Sequence, residues 1–451
     1  MYTATNPHTG RPTGPTYPAT TPVALDTALD AAVATYARWQ HASPDNRIQF
    51  CRQAARLLRE RTSALAQLAH DEMGKLLTEA EAEVEKCVTL CDYYAEQVPL
   101  LSRPRKVVVE GANAYVAHRP LGLILGIMPW NFPFWQAVRF AVPAVAAGNV
   151  ALLKHAPNVP GCAAAFAEVF AEAGRGMSQG PLLTNLYLDN AVTEALIADD
   201  RVAGVSLTGS TAAGKKVGAA AGAALKPAVL ELGGSDAYLV LADADLDVAV
   251  EACFAARRLN SGQSCISAKR LVVVDEVREA FTTRLRRRIE GIEALAPMAR
   301  EDLRAHLHRQ VERSVTAGGR LLLGGVLPET PGWYYPPTLL TDVRPGMPAF
   351  AEELFGPVFV VVPARDTEEA IALANDSRFG LGAAVFSRDL AAAEEIARDR
   401  LAAGAAFVND FVRSDPRLPF GGVRESGVGR ELSREGYYAF TNAKTLYVRH
   451  P

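Results

Sequence analysis

Apolar residues recur at intervals of three and four through residues 26–40 and 45–97, which contain few helix breakers. Such spacing is typical of an amphipathic α-helix that turns one face to a core. The apolar positions that share one face include Leu57, Leu58, Leu65, Leu68 and Ala69. The pattern predicts a helical flank at the start of the chain.

The periodicity changes after this flank. Residues 106–116 predict a β-hairpin around a Gly/Asn turn. Apolar runs then alternate with helical patterns: the predicted strands are 121–128, 149–154, 183–188 and 202–208, and the predicted helices are 134–147, 160–173, 191–198 and 211–224. This alternation favours an α/β fold with a mostly parallel, doubly wound sheet.

A second series of strands and helices begins after Gly233 and Gly234. Its predicted elements are strand 237–241, helix 246–259, strand 270–274, helix 277–292 and strands near 358–362, 383–386 and 405–408. We infer a second α/β domain. A last strand at 445–449 is expected to pair with the 106–116 hairpin or with another subunit.

Composition narrows the class of protein. The 451 residues are 49% hydrophobic and carry a net charge of −3, with both signs mixed along the chain. No electrostatic footprint indicates nucleic acid or an anionic membrane as a partner. The apolar run 121–153 contains one charged residue, Arg139, but prolines, glycine and asparagine interrupt it. It therefore predicts buried strands and a helix rather than a membrane span.

The six cysteines form no Cys-x-x-Cys pair and no zinc-site spacing with histidine, so no metal site is predicted. This usage fits a reducing compartment, and the polar N-terminus has no secretion-signal pattern. We therefore expect a cytoplasmic protein.

Cys265 is the candidate nucleophile, because residues 260–265 (Asn-Ser-Gly-Gln-Ser-Cys) place one thiol on a glycine-containing loop before a strand. Glu231 lies upstream, where an apolar run enters the turn at Gly233 and Gly234. A thiol and a carboxylate at two adjacent strand ends suggest covalent catalysis followed by activation of water.

Residues 209–216 (Gly-Ser-Thr-Ala-Ala-Gly-Lys-Lys) nearly match a phosphate-binding loop between a strand and a helix. Position 216 is Lys, however, and offers no hydroxyl for a magnesium ion. A nucleotide phosphate at this helix N-terminus and a simple tight turn both remain open.

Two further polar residues follow predicted strands. Asn131, within the sequence Pro-Trp-Asn-Phe-Pro, either donates to a developing oxyanion or caps the next helix. Lys154 ends the following strand, where its ammonium binds a ribose or phosphate or simply reaches out to solvent.

Together these motifs resemble the aldehyde dehydrogenase superfamily over nearly the whole chain. The stretches that carry the resemblance are 129–133, 153–154, 208–210 with Gly214, 231–234, 262–265, 352–357 and 419–422. Their joint order and spacing are far more specific than any one stretch. Within the superfamily, residues 134–139, 153–160 and 414–420 are most similar to the shorter bacterial succinate-semialdehyde dehydrogenases.

The resemblance implies two doubly wound parallel-sheet domains and a small β flap used in oligomerisation. Residues 1–102 and 120–232 would form the cofactor-binding domain, residues 233–432 the catalytic domain, and residues 103–119 and 433–451 the flap. A homodimer or homotetramer is expected.

The implied reaction is oxidation of an aldehyde. Cys265 attacks the aldehyde carbon, Asn131 and the Cys265 backbone amide hold the oxygen, and a hydride leaves for the nicotinamide. Glu231 activates the water that hydrolyses the remaining thioester, since relatives that transfer the acyl group to coenzyme A typically lack a carboxylate there. A thiol with a pKa of about 8.5 is mostly protonated at neutral pH, so the site must lower that pKa or supply a base.

The implied cofactor is NADP or NAD. The residues that the resemblance assigns to it are Pro129, Trp130, Lys154, Pro157, Thr208, Gly209, Ser210, Gly214, Leu232, Glu353 and Phe355. NAD-preferring relatives commonly have Glu three residues beyond the lysine, where this chain has Pro157. Without that carboxylate, NADP is predicted to be accepted or preferred.

The implied substrate is a small aldehyde that carries a carboxylate, such as succinate semialdehyde, and another small aldehyde is the alternative. Arg139 lies eight residues after Asn131, where its guanidinium either grips the carboxylate or forms a structural salt bridge. Ser414 would supply the opposite wall. The alternatives of a different class are a phosphate-loop NTPase or kinase, a cysteine hydrolase and a non-catalytic relative.

Overall fold

The computed structural model describes residues 1–178 and 180–449. The strands of the first half are β1 (Tyr2–Asn6), β2 (Arg11–Tyr17), β3 (Arg105–Val109), β4 (Ala112–Pro120), β5 (Leu123–Met128), β6 (Val150–His155), β7 (Leu183–Asn185), β8 (Val202–Thr208) and β9 (Ala228–Glu231). The helices are α1 (Pro22–Trp39), α2 (Pro44–Glu60), α3 (Thr62–Met73), α4 (Leu77–Leu101), α5 (Pro133–Ala146), α6 (Pro160–Ala173), α7 (Asn190–Ala198) and α8 (Thr211–Ala223).

The second half continues the alternation. Its strands are β10 (Asp236–Val240), β11 (Ala268–Val274), β12 (Arg320–Leu323), β13 (Thr338–Thr341), β14 (Val358–Ala364), β15 (Gly382–Phe386), β16 (Ala405–Val408), β17 (Gly427–Val428) and β18 (Thr441–Val448). Its helices are α9 (Leu246–Arg258), α10 (Asp275–Glu290), α11 (Glu301–Thr316), α12 (Pro348–Ala351), α13 (Thr367–Asn375), α14 (Leu390–Glu395) and α15 (Ser433–Tyr438).

The predicted helical flank is present as α1 to α4. The side chains of Thr21 and Ser43 cap α1 and α2, and a proline occupies the first position of each helix. The long helical pattern divides at Gly74, which ends α3 in the left-handed conformation with φ +83°. These helices share one apolar core with β5, β6, α5 and α6, which fixes α4 against the first sheet.

The first sheet has the strand order β17-β9-β8-β5-β6-β7. All pairs are parallel except β17 with β9. The chain runs outward from β5 through β6 to β7 and then returns to β8 on the other side of β5. Ligands bind at the carboxyl ends of strands where a doubly wound sheet reverses in this way, so the edge after β5 and β8 is the expected binding site.

The second sheet has the order β12-β13-β14-β11-β10-β15-β16, with β12 antiparallel to its neighbour and the other pairs parallel. Glu231 ends β9 of the first sheet, whereas Cys265 precedes β11 of the second. The thiol and the carboxylate therefore lie where the carboxyl edge of one sheet meets the amino edge of the other. They are not on neighbouring strands of a single sheet.

A third sheet has the order β18-β4-β3. Strand β18 pairs with β4 from Thr441↔Pro120 to Val448↔Asn113, which confirms that the last strand joins the hairpin. The sheets follow the predicted domain ranges except at β17, which lies within 233–432 but pairs with β9; the domain assignment itself stays a prediction. In the described ranges, no helix has both the length and the hydrophobicity needed to cross a membrane.

Candidate active site

The loop before Cys265 is held in an unusual backbone conformation. Asn260 and Ser261 have φ of 54° and 52°, and Gly262 has φ of +72°. A Cβ at Gly262 would lie 2.1 Å from the carbonyl oxygen of Gly356. Positive φ at consecutive non-glycine residues costs free energy and is typical of functional sites. The loop is therefore constrained to one path, which sets the position of the thiol.

Asn131 is tied to this loop. Its side-chain amide donates to the carbonyl of Gln263 at 3.1 Å, and Asn260 donates to the carbonyls of Asn131 at 2.9 Å and Gln263 at 3.1 Å. Asn131 does not cap α5, because the cap position is Phe132 and the Asn131 amide bonds Gln263 instead. The helix-cap alternative is wrong. One amide hydrogen of Asn131 is committed to Gln263, and the amide carries a second that can serve an oxyanion.

The Cys265 thiol is free and partly buried. Burial raises its pKa to about 11, while the positive charges of Arg139 and Lys269 act in the opposite direction. The Lys269 ammonium donates to the backbone carbonyls of Ser264 at 2.8 Å and of Cys265 itself at 2.5 Å. The structure thus does not lower the thiol pKa, and formation of the thiolate requires a base.

Glu231 is 2% exposed, and neither of its carboxylate oxygens has a hydrogen-bond partner among the described residues. Burial and the nearby Glu431 carboxylate raise its pKa well above the ordinary value, and Arg139 and Arg430 oppose this rise. A Cβ at Gly421 would lie 2.6 Å from Glu231 Oε1, so the glycine makes room for the carboxylate. A carboxyl group with a raised pKa in a buried site is suited to general base catalysis.

Cys265 opens into a cavity of about 260 Å³. The wall includes Lys86, Trp135, Arg139, Cys265, Ser414 and Phe420. The structure therefore brings Arg139 and Ser414 to the same cavity as the thiol. Glu231 is not among the lining side chains in the described part of the chain. Its Oε1 lies 2.6 Å from the Cβ position of Gly421, which follows the lining residue Phe420.

Arg139 is already paired with a carboxylate. Its Nε atom lies against Glu431 Oε2, its Nη2 donates to Thr208 Oγ1 at 3.4 Å, and its guanidinium stacks over the Phe420 ring at 4.5 Å. The structural salt bridge that the sequence left open is thus present. A role for Arg139 in binding substrate stays a prediction.

Lys86 of α4 is a cavity residue that the sequence reasoning missed. Its ammonium donates to Ser414 Oγ at 2.7 Å and lies 4.5 Å from the Trp135 ring centre. Burial, followed by the charge of Arg139, lowers its pKa to about 8. The available signal was the helical spacing of Glu79, Glu83 and Lys86, which places three ionisable residues on one helix face.

The edge after β8 has the features of a phosphate site. Helix α8 begins here, and its capping residue Ser210 accepts from the Ala213 amide at 3.2 Å. A Cβ at Gly214 would lie 2.4 Å from Leu232 Cδ2, so only glycine allows α8 to approach this closely. Gly209 donates to the Glu231 carbonyl at 2.9 Å. Free amides at the start of a helix attract an anion such as a pyrophosphate.

The edge after β6 leaves several buried polar groups without partners. Lys154 is 9% exposed, and burial lowers its pKa. Pro157 stands in the turn that follows β6. Both polar atoms of the Asn158 side chain, Thr184 Oγ1 and Asn185 Oδ1 lack hydrogen-bond partners among the described residues. Buried polar groups are normally bonded, so this edge fits the sugar and base of a dinucleotide.

Two predicted cofactor residues lie together near the end of β5. The rings of Trp130 and Phe355 meet edge to face, with centroids 5.8 Å apart, and Pro129 directly follows β5. Glu353 accepts from the Gly234 amide at 3.1 Å and pairs with Lys269 at 3.1 Å. Hydrogen bonding to a nicotinamide ribose stays a prediction for Glu353.

The phosphate-loop enzyme is disfavoured by the position of Lys215. Its ammonium pairs with Glu425 at 2.7 Å on the protein surface, whereas a phosphate-loop lysine must reach the nucleotide phosphates.

The comparisons with known proteins agree with this geometry. The family model described as aldehyde dehydrogenase family matches residues 1–446. The chain is 47% identical to the succinate semialdehyde dehydrogenase (NAD(P)+) Sad of Escherichia coli strain K12, over 94% of this chain and 93% of that protein. It is 44% identical to the succinate-semialdehyde dehydrogenase (NADP(+)) of Deinococcus radiodurans, over 99% and 94%.

Among solved structures, the fold matches the succinic semialdehyde dehydrogenase of Streptococcus pyogenes in complex with NADP+. The TM-score is 0.95 at 33% identity, and the match covers 100% of each chain. A family match over nearly the full length and relatives above 40% identity leave one assignment. The chain belongs to the aldehyde dehydrogenase family.

Proposed function

We propose that this chain oxidises succinate semialdehyde to succinate with NADP or NAD as hydride acceptor. The observation that carries the substrate is the Cys265 cavity, whose wall contains Lys86, Arg139 and Ser414 as well as the thiol. Cations in an enclosed cavity favour an aldehyde that bears a carboxylate. The named relatives act on the same substrate.

The first half of the reaction uses the constrained loop. The Cys265 thiol gives its proton to a solvent base, and its sulfur forms a bond to the aldehyde carbon as the carbonyl electrons move to oxygen. The second amide hydrogen of Asn131 and the backbone amide of Cys265 stabilise that oxyanion. An oxidised nicotinamide held near Trp130 and Phe355 would supply the acceptor for the hydride that leaves the aldehyde carbon. The C–O double bond re-forms, and a thioester on Cys265 remains.

The second half uses Glu231. Its carboxylate removes a proton from a water molecule, whose oxygen attacks the thioester carbon. The C–S bond breaks, the carboxylic acid leaves, and Glu231 returns the proton to the Cys265 sulfur. Because Glu231 does not line the cavity, its side chain must turn toward Cys265 for this step. Among the described residues no hydrogen bond holds its carboxylate, so none has to break.

We propose that Lys154 faces the adenosine ribose and that the cofactor choice includes NADP. Lys154 is a buried cation, and no described carboxylate forms an ion pair with it. With Pro157 in the following turn, no carboxylate repels a 2′-phosphate at that position.

We propose a homodimer or homotetramer built through the third sheet. Strand β3 is exposed along its length, including Val107, Val108 and Val109, and it forms one edge of that sheet. An exposed apolar edge strand is suited to pairing with another chain.

We propose a cytoplasmic location, since all six cysteines are free thiols.

The test is a substrate panel with reduced nicotinamide absorbance as the readout. Succinate semialdehyde should give the highest kcat/KM, above butanal, which has the same carbon chain length but no carboxylate. Both NADP and NAD should support the reaction. Equal kcat/KM for the two aldehydes would refute the proposed substrate class, and no reduction with any aldehyde would refute the activity.

A further inference from the structure

We propose that Lys86, together with Ser414, binds the carboxylate of the substrate and determines specificity for a charged aldehyde. This inference rests on the proposed function, since it assigns the group that recognises the end of the substrate remote from Cys265. The Lys86 ammonium and the Ser414 hydroxyl are 2.7 Å apart in the cavity wall.

A survey of the cations in the wall separates Lys86 from the others. Arg139 is paired with Glu431, and Arg413 is paired with Asp410 at 2.7 Å. Over the described residues, Lys86 forms no ion pair with any carboxylate. A cation that is already paired with a carboxylate of the protein contributes less free energy to the binding of an incoming anion. Lys86 is therefore the cation in the wall whose charge is available.

The two carboxylates of α4 that line the cavity with Lys86 are committed elsewhere. Glu83 accepts from the backbone amides of Phe134 at 2.8 Å and Trp135 at 2.9 Å, and it pairs with Lys75. Glu79 accepts from the Asn260 amide at 3.1 Å. Glu83 thus caps α5 and neutralises another lysine rather than Lys86.

The local geometry leaves donors for an anion. A lysine ammonium has three N–H groups; one points to Ser414 Oγ, while the Trp135 ring covers one side of the charge. Because the Ser414 oxygen accepts from Lys86, its own hydrogen is free to donate. A remaining N–H of Lys86 and the O–H of Ser414 belong to atoms 2.7 Å apart, close enough for both to donate to one carboxylate. Burial lowers the pKa of Lys86 to about 8, and a bound carboxylate would offset that effect.

The experiment compares succinate semialdehyde and butanal as substrates of the wild-type enzyme, Lys86→Met, Lys86→Arg and Arg139→Gln. Lys86→Met should raise the KM for succinate semialdehyde about 10- to 100-fold, the range expected for loss of a hydrogen bond to a charged group. Its kcat with butanal should be unchanged, which also shows that the variant is folded. Lys86→Arg keeps the charge and should retain most of the selectivity.

Two further measurements complete the design. Succinate, the product, should inhibit Lys86→Met more weakly than wild type by a similar factor, which reports binding without turnover. Arg52→Met removes an exposed cation from helix α2 and should leave both substrates unaffected.

The outcomes separate the two proposals. If wild type prefers succinate semialdehyde and Lys86→Met keeps that preference and its succinate inhibition, the assignment of Lys86 is overturned and the proposed function stands. The same holds if Arg139→Gln alone loses the preference. If wild type shows no preference over butanal, the proposed function fails and the Lys86 assignment falls with it.

Discussion

Replacing Glu231 by Gln should separate acylation from hydrolysis. The side chain is 2% exposed and has no hydrogen-bond partner among the described residues. Gln has nearly the same volume and so leaves no cavity, but its amide cannot take a proton from water. Attack by Cys265 and the hydride transfer should persist, whereas hydrolysis of the thioester should slow.

The expected fall in the steady-state rate follows from the loss of one positioned base. General base catalysis contributes about 10²- to 10⁴-fold, which corresponds to about 2.7 to 5.4 kcal/mol of activation free energy. The steady-state rate should fall by that factor, while stopped-flow absorbance should still record a burst of reduced nicotinamide close to one equivalent per Cys265 site. An unchanged steady-state rate, or a burst lost together with turnover, would refute the assignment of Glu231 to hydrolysis.

Thermal unfolding provides the control for this variant. Burial and Glu431 raise the pKa of Glu231, so the folded state keeps this proton to a higher pH than the unfolded chain does. The stability that the group contributes is present below the ordinary carboxyl pKa and is lost as pH rises through the raised value. Gln cannot ionise, so at pH 8 the Tm of the variant should equal or exceed that of wild type. A lower Tm would attribute the lost turnover to a damaged fold.

Three further predictions test the loop, the thiol and the cofactor choice. Gly262→Ala should lower both kcat and Tm, since its Cβ would lie 2.1 Å from the Gly356 oxygen. The control Gly14→Ala also has a positive φ, +66°, but has open space around its Cβ, so it should lose about 1 kcal/mol of stability and keep its kcat. Equal kcat in the two variants would contradict this prediction. Burial raises the pKa of Cys265 to about 11, so its alkylation by iodoacetamide should accelerate about tenfold per pH unit from pH 7 to 9. Mass spectrometry measures the rate, and a rate that does not change with pH would exclude the raised pKa. Pro157→Glu should lower kcat/KM for NADP at least about tenfold more than for NAD, because like charges repel; an unchanged ratio would remove Pro157 from cofactor selection.

The elements with regular periodicity are those whose positions can be predicted. Helix α6 begins and ends at the predicted residues 160 and 173, since its apolar spacing is regular and Pro160 stands at its first position. The hairpin of β1 and β2 escapes prediction, because β2 contains two prolines and a glycine and no apolar alternation. It forms because it packs on α3 and α6, a tertiary contact that has no local signal.

The same distinction applies to the site. Cys265 and Asn131 belong to turns next to strands, where short motifs specify the backbone and hence the side-chain position. Arg139 depends on a partner, Glu431, that lies far along the chain, so its spacing from Asn131 alone leaves the salt bridge and the substrate role equally open. Lys86 belongs to a long helix, and which face of that helix meets the cavity is decided by packing against α5.

Burial acts in opposite senses on the reacting groups and on the cation of the cavity wall. It raises the pKa of both Cys265 and Glu231, which disfavours negative charge near the thiol. Lys86 is a cation without a carboxylate partner among the described residues, and holding such an ion away from water costs free energy. A carboxylate-bearing aldehyde suits both, since its carbonyl is uncharged and its anion compensates Lys86. An uncharged aldehyde of equal length fills the same space but leaves Lys86 uncompensated, so selection between the two depends on one ion pair more than on cavity shape.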